Sequence, residues 1–127
     1  MSSASDRLVA RVMDIIKNNL SNPDLSVETI CSEVGISRVH LNRKLKDLVG
    51  ISPSALIRET RLRQAAYLLV HNEVNVSEVA FRVGYSSLSH FSNSFREYYG
   101  MAPKEFVSKY QGTEDVSYLK QFEPMDK

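Results

Sequence analysis

Leu25 to Ile57 reads LSVETICSEVGISRVHLNRKLKDLVGISPSALI, and Val74 to Val107 reads VNVSEVAFRVGYSSLSHFSNSFREYYGMAPKEFV. The two stretches carry the same landmarks in the same order. Gly35 aligns with Gly84, Leu41 with Phe91, Leu45 with Phe95, Gly50 with Gly100 and Pro53 with Pro103. The offset is 49 up to the first glycine and 50 beyond the turn that follows it, so the second turn is one residue longer. Self-similarity at a fixed period sets the architecture, because each copy is one supersecondary unit. Each copy reads as helix, tight turn, helix, glycine stop and a further helix begun by proline.

The local signals agree with that reading. Leu8, Val9, Val12, Met13, Ile15, Ile16 and Leu20 fall at helical spacing and predict a first helix of about four turns. Asn22-Pro23-Asp24 is expected to end it, since a proline ring cannot continue the ladder. Ser26 caps a short helix with Val27, Ile30, Cys31 and Val34 inward, and Gly35 closes it. Ser37 caps the next, with Leu41, Leu45 and Leu48 inward and Gly50 as its stop. Ser52-Pro53 is a cap followed by proline at the first helical position, and it opens a long helix. Leu56, Ile57, Leu62, Ala65, Ala66, Leu68 and Leu69 carry that helix as far as His71-Asn72. The pattern then restarts with Val76, Val79, Ala80 and Val83 inward and Gly84 after them. Ser86 or Ser87 caps a helix with Leu88, Phe91, Phe95 and Tyr98 inward, and Gly100 stops it. Pro103 begins a last core helix through Phe106 and Tyr110. A weak stripe of Val116, Leu119 and Phe122 follows. No alternating strand pattern occurs. The expectation is an all-α fold of about seven helices, in which two helix-turn-helix subdomains are joined by a long linker helix. The subdomains cover residues 6–52 and 73–110, the linker helix 53–72 and a C-terminal tail 111–127.

The composition fits one compact domain, or two very small ones. The chain has 127 residues, 43% hydrophobic and 24% charged, with 5 glycines and 4 prolines. Net charge is only +1, but it is unevenly placed. From Arg38 to Arg63 there are seven basic residues against Asp47 and Glu59, a local +5, while residues 111–127 carry −2. A local basic face is the electrostatic footprint of phosphate binding. The single cysteine, Cys31, cannot form an internal disulfide, and no Cys/His set has zinc-ligand spacing. No apolar run reaches membrane-spanning length, and MSSASDR has no signal-peptide core. These features point to a cytoplasmic soluble domain without a metal or other cofactor. An enzyme finds no support: there is no paired nucleophile and base and no glycine-rich phosphate loop.

Two helix-turn-helix units imply DNA for a geometric reason. One helix braces a second, whose outer face enters the roughly 12 Å wide major groove. That requires apolar inner positions and polar outer positions that donate or accept hydrogen bonds. Between Ser37 and Val49 the outer positions are Arg38, Val39, Asn42, Arg43 and Lys46, the candidate base-reading set. Arginine can bond guanine O6 and N7 with two parallel donors, and asparagine adenine N6 and N7. Arg43 and Asn42 are the foremost candidates, with Val39 suited to a thymine methyl. The second helix presents Ser89, His90, Ser92, Asn93 and Arg96. Ser89, Ser92 and Asn93 are its base-reading candidates, and they are shorter and uncharged. Asn93 stands where the first unit has Arg43, so weaker, more tolerant contacts are expected there. Arg96 and Lys104 are assigned to phosphates. So are the helix starts at Ser52-Pro53-Ser54 and Ala102-Pro103-Lys104, whose backbone N–H groups lie at positive dipole ends.

These residues closely resemble the DNA-binding domain of AraC-type (AraC/XylS) transcription regulators. The signature stretches are Val79-Ala80-Phe81-Arg82-Val83-Gly84-Tyr85, Phe91-Ser92-Asn93-Ser94-Phe95-Arg96 and Gly100-Met101-Ala102-Pro103, and the resemblance spans about residues 8 to 110. It implies a linker helix over Pro53–His71 and two recognition helices in adjacent major-groove segments on one face of the duplex. It also implies a transcription activator that meets RNA polymerase. The stretch SRVHLNRKLKDLVGISPSALIRETRLRQAAYLL further resembles the C-terminal output domains of hybrid two-component regulators. A fragment of such a regulator is therefore favoured over a stand-alone small activator, with dimerisation supplied by regions outside this chain. The competing class is a helical protein-interaction module whose basic face docks an acidic partner.

Ordinary roles are expected for the remaining conspicuous residues. Cys31 reads as a small hydrophobe, and His40 and His90 as packing or phosphate neighbours rather than ligands. The aromatics Phe91, Phe95, Tyr98, Tyr99 and Phe106 read as core rather than as a platform for single strands. Arg61 and Arg63 are suited equally to phosphates or to internal carboxylates such as Glu97.

Overall fold

The computed structural model describes residues 3–71 and 75–110, and these form seven α-helices with no strand among them. They are α1 (Ala4–Asn18), α2 (Val27–Val34), α3 (Arg38–Val49), α4 (Pro53–His71), α5 (Val76–Arg82), α6 (Leu88–Tyr99) and α7 (Pro103–Tyr110). The fold is all-α, as the sequence indicates. Val74 and the stripe of Val116, Leu119 and Phe122 lie outside the described residues.

Side-chain caps start the helices. The hydroxyls of Ser26, Ser37 and Ser87 accept the N–H groups of Thr29, His40 and His90, so Ser87 rather than Ser86 caps α6. Ser52 accepts from Ala55 at 3.2 Å ahead of Pro53. Two starts were less apparent. α1 begins four residues before its apolar stripe, because Ser3 and Asp6 cap one another reciprocally. Asn75 caps α5 by accepting from Glu78 at 2.7 Å. The end of α1 also differs from expectation: it stops at Asn18, well before Pro23. Asn19 ends it by donating its side-chain amide to the Ile15 carbonyl at 2.8 Å, which satisfies a terminal acceptor.

There are two hydrophobic clusters. Val12, Ile15, Ile16, Leu25, Val27, Ile30, Leu41, Leu45, Leu56 and Ile57 form the first. Leu62, Ala65, Ala66, Leu69, Val70, Val79, Ala80, Val83, Tyr85, Phe91, Phe95 and Phe106 form the second. α4 belongs to both: it packs on α1 and α3 near its start and on α5, α6 and α7 further along. Its apolar residues therefore do not keep to one stripe. Thr60 lies buried between the two sets, and its hydroxyl is satisfied within the helix by the Leu56 carbonyl at 2.7 Å.

Three residues assigned inward are exposed instead. Leu48 (39%), Leu88 (44%) and Tyr98 (37%) sit in the terminal turns of α3 and α6, where the small bundle no longer covers the helix. Tyr98 lies at the rim and donates its hydroxyl to Glu59 of α4 at 3.3 Å. The inner aromatic column is Tyr85, Phe91, Phe95 and Phe106, with successive ring centroids 5.2–5.7 Å apart in edge or tilted geometry.

Candidate nucleic-acid interface

α3 and α6 are both twelve residues long, both capped by serine and both closed by a left-handed glycine. Each buries two residues four apart, Leu41 and Leu45 in α3 and Phe91 and Phe95 in α6. That anchoring leaves the opposite side of each helix uncovered. In α3 the outward residues are Val39, Asn42, Arg43 and Lys46, at positions i, i+3, i+4 and i+7. In α6, 50 positions on, they are Ser89, Ser92, Asn93 and Arg96. Asn42 and Ser92 are half-buried at the edge of their stripes, and the others are exposed. Val39 is 74% exposed, more than any other large apolar residue among the described ones. A branched apolar side chain held in water on a polar face is what a methyl-bearing groove would cover.

Arg38 lies apart from this stripe. Its guanidinium pairs with the Glu28 carboxylate of α2, and both side chains are more than half exposed. The Glu28 carboxyl is held below its ordinary range, first by a backbone hydrogen bond at the start of α2 and also by Arg38. The pair ties the start of α3 to the start of α2.

The two proline-led helix starts are not equivalent either. Ser52 and Ser54 sit together at the start of α4 with hydroxyls 3.4 Å apart. At α7 the Ala102 N–H is already engaged by the Glu105 carboxylate at 3.1 Å. A carboxylate there competes with a phosphate for the same dipole end, which leaves the exposed Lys104 ammonium as the attractive group.

Between the two units lies a cleft of about 410 Å³ lined in part by Ser26, Ser54, Arg58, Arg61, Tyr85 and His90. Sequence reasoning counted Arg58 in the basic stretch but gave it no place in the site. It follows Ser54 by one helical turn, a spacing that could have identified it. Arg61 turns out to contact neither a carboxylate nor solvent alone: it donates to the Asn22 carbonyl at 2.7 Å. Among the described residues no His, Cys, Asp or Glu cluster could hold a metal, and no helix is long and apolar enough to cross a membrane.

Residues 30–109 match the family model described as a helix-turn-helix domain. The chain belongs to the AraC-type family of helix-turn-helix, DNA-binding transcription regulators. AraC-type domains are DNA-binding modules rather than enzymes. Over 110 residues the chain is 31% identical to Histidine kinase P4 of Formosa agariphila, a match that covers 87% of this chain and 8% of that protein. Among solved structures it is similar to the C-terminal domain of AraT, a response regulator from Geobacillus stearothermophilus. That similarity has a TM-score of 0.81 and 31% identity, and it covers 89% of this chain and 93% of the other. It is also similar to the DNA-binding domain of AdpA in complex with a target DNA, with a TM-score of 0.73, 28% identity, and coverage of 86% and 94%. The chain spans 8% of the kinase and 26–35% of several other AraC-type relatives.

Proposed function

We propose that this AraC-type domain inserts α3 and α6 into adjacent major-groove segments on one face of its target. Bases are read by Val39, Asn42, Arg43 and Lys46 from α3, and by Ser89, Ser92 and Asn93 from α6. Arg38 joins the first set when it leaves Glu28. Phosphates are held by Ser52 and Ser54 at the start of α4, by Arg96 and by Lys104. The observation that carries this reading is the pair of outward stripes, four residues each and 50 positions apart, on helices with the same cap and stop. Arg43 reads a base with two donors while its counterpart Asn93 makes a shorter contact, so the site is asymmetric, strongly read at one end and tolerant at the other.

In this reading the domain is the cytoplasmic output end of a hybrid two-component regulator. It activates transcription, with RNA polymerase as its protein partner and dimerisation contributed by other parts of the regulator. The similarity to the AraT response-regulator domain, and to a kinase of which the matched residues make up only 8%, supports that placement.

The test is selection of bound duplexes from a random pool, followed by mobility-shift titration at several salt concentrations. A bipartite site with one sharply defined half and a steep salt slope is the expected result. Two equally defined halves would remove the asymmetry. Failure to enrich any duplex, with capture of an acidic protein instead, would favour an interaction module.

A further inference from the structure

Gly35 and Gly84 occupy the same place in the two repeats, and both have the left-handed backbone that favours glycine, with φ of 76° and 93°. Their surroundings are opposite. A Cβ on Gly35 would meet nothing within 4 Å. A Cβ on Gly84 would lie 2.3 Å from the Leu20 carbonyl oxygen and 2.7 Å from the Arg61 Nε. The turn of the second unit is thus laid directly on the backbone that leaves α1 of the first unit.

Arg61 occupies the same junction. It rises from the middle of α4, donates from Nη2 to the Asn22 carbonyl, and has Gly84 against its Nε and Cζ. Its Nε is buried and has no hydrogen-bond partner among the described residues. Burial draws the guanidinium below its ordinary value and pushes the neighbouring Tyr85 hydroxyl above its own. Leaving the buried Nε without a partner carries a cost, although the rest of the side chain is only half-buried. One residue of the linker helix therefore touches the α1–α2 loop of the first unit and the α5–α6 turn of the second. α4 alone would join the units by one rod free to flex and twist; this second bridge, off the rod's axis, restrains both motions.

We propose that Arg61 and Gly84 are positioning residues that set the distance and phase between the two recognition helices, and so the spacing of the two half-elements that the domain accepts in DNA. The assignment rests on the adjacent-groove reading above. Neither residue touches a base. With the junction intact, a half-element moved by one base pair is rotated out of reach of α6, and the second binding event is lost. With the junction loosened, α6 follows the displaced half-element at the expense of affinity for the best spacing, because the effective concentration of the second unit is spread over more geometries.

The experiment uses the 127-residue chain with two measurements. The first is affinity for the selected site and for variants with one or two base pairs inserted or removed between its halves. The wild type is expected to prefer one spacing by at least about tenfold, and Arg61→Met to reduce that preference to about twofold or less. The methionine keeps an apolar stem over the cleft and removes the guanidinium. Gly84→Ala should act in the same direction. Gly35→Ala carries a comparable backbone strain without the contact, and should leave the spacing profile unchanged even where it lowers the melting temperature. The second measurement needs no DNA: spin labels at Asp47→Cys and Glu97→Cys, in a Cys31→Ala background, report the distance between α3 and α6. A single narrow distribution that broadens in Arg61→Met supports the assignment. A folded Arg61→Met protein with the wild-type distribution and spacing profile overturns it, as would a Gly35→Ala profile indistinguishable from that of Gly84→Ala. If the wild type shows no spacing preference, both the spacing role and the adjacent-groove reading fall. If it prefers one spacing and Arg61→Met keeps it, only the role given to the junction falls.

Discussion

The first and second helix-turn-helix units share a skeleton but differ in what fills it. The first is closed by aliphatic residues, with Ile30, Leu41 and Leu45 fully buried, and α1 covers it. The second is closed by Phe91, Phe95 and Phe106, with α7 as its cover. Outside, the weighting is reversed. The first presents Arg43 and Lys46, where the second presents Asn93 and Arg96 behind two serines. Two copies of one scaffold can thus divide labour, because the inward and outward positions of a helix are separate sets and change independently. The inner set decides stability, and in the proposed function the outer set decides what is read.

The comparison can be broken most forcefully from the inside. Phe95 touches Phe91, Tyr99 and Phe106 with ring centroids 4.7–5.7 Å apart. Phe95→Ala should cost about 3–5 kcal/mol, and its counterpart Leu45→Ala about 2–5 kcal/mol. Denaturant titration of both variants, with hydrogen exchange to locate the opening, checks whether the aromatic unit loses more than the aliphatic one. Equal losses confined to neither unit would mean that the two cores fold as one.

The outer faces provide the next largest contrast. Arg43→Ala is expected to cost about 1–3 kcal/mol of binding and to relax preference at one base position. Asn93→Ala should cost less and relax little. Lys104→Ala should weaken every sequence alike and lower the salt slope by about 1. Titrating the three variants against the selected site and single-base mismatches distinguishes these roles; identical profiles for all three would erase the division between reading and gripping.

Smaller still is the effect of the shared caps. Ser37→Ala and Ser87→Ala should each cost about 1 kcal/mol of stability, since each hydroxyl accepts one N–H at its helix start. A large difference between them in thermal unfolding would show that the skeleton itself is unequal.

The smallest expected change concerns an ion pair of the first unit that has no counterpart, because Leu88 stands where Arg38 does. The Glu28 carboxyl is depressed, chiefly by its backbone hydrogen bond and further by Arg38. Its contribution is therefore present above the ordinary carboxylate value and is lost as pH falls through the lower, folded value. At neutral pH the pair stays formed, so Glu28→Gln should leave the melting temperature almost unchanged, as for most exposed pairs. It should slightly raise affinity for DNA by releasing Arg38. A lower affinity would show that the pair positions Arg38 rather than withholding it.

Much of this molecule could be read from its residues in order. The caps at Ser26, Ser37 and Ser52, the glycine stops and the buried pairs Leu41–Leu45 and Phe91–Phe95 all follow from contacts within four or five positions. The Ser3–Asp6 box is just as local and was simply masked by the absence of apolar residues in its turn. Other features were not legible. Leu48, Leu88 and Tyr98 fall on apolar registers, yet exposure depends on where neighbouring helices end. The partner of Arg38 lies ten positions away and that of Arg61 thirty-nine, distances at which periodicity carries no information.

The sequence by itself therefore determined the seven helices, most of their caps and glycine stops, the doubling of the unit and the two outward faces, because each of these rests on backbone geometry and on hydrogen bonds across a single turn. Only the tertiary structure decided which of two equivalent glycines lies against another backbone, and where the Arg61 guanidinium is spent. The reason is physical: φ and periodicity are local properties of a chain, whereas the seating of Gly84 against the Leu20 carbonyl, so close that a Cβ would lie 2.3 Å from that oxygen, exists only once two separately formed units have been brought together by the helix that joins them.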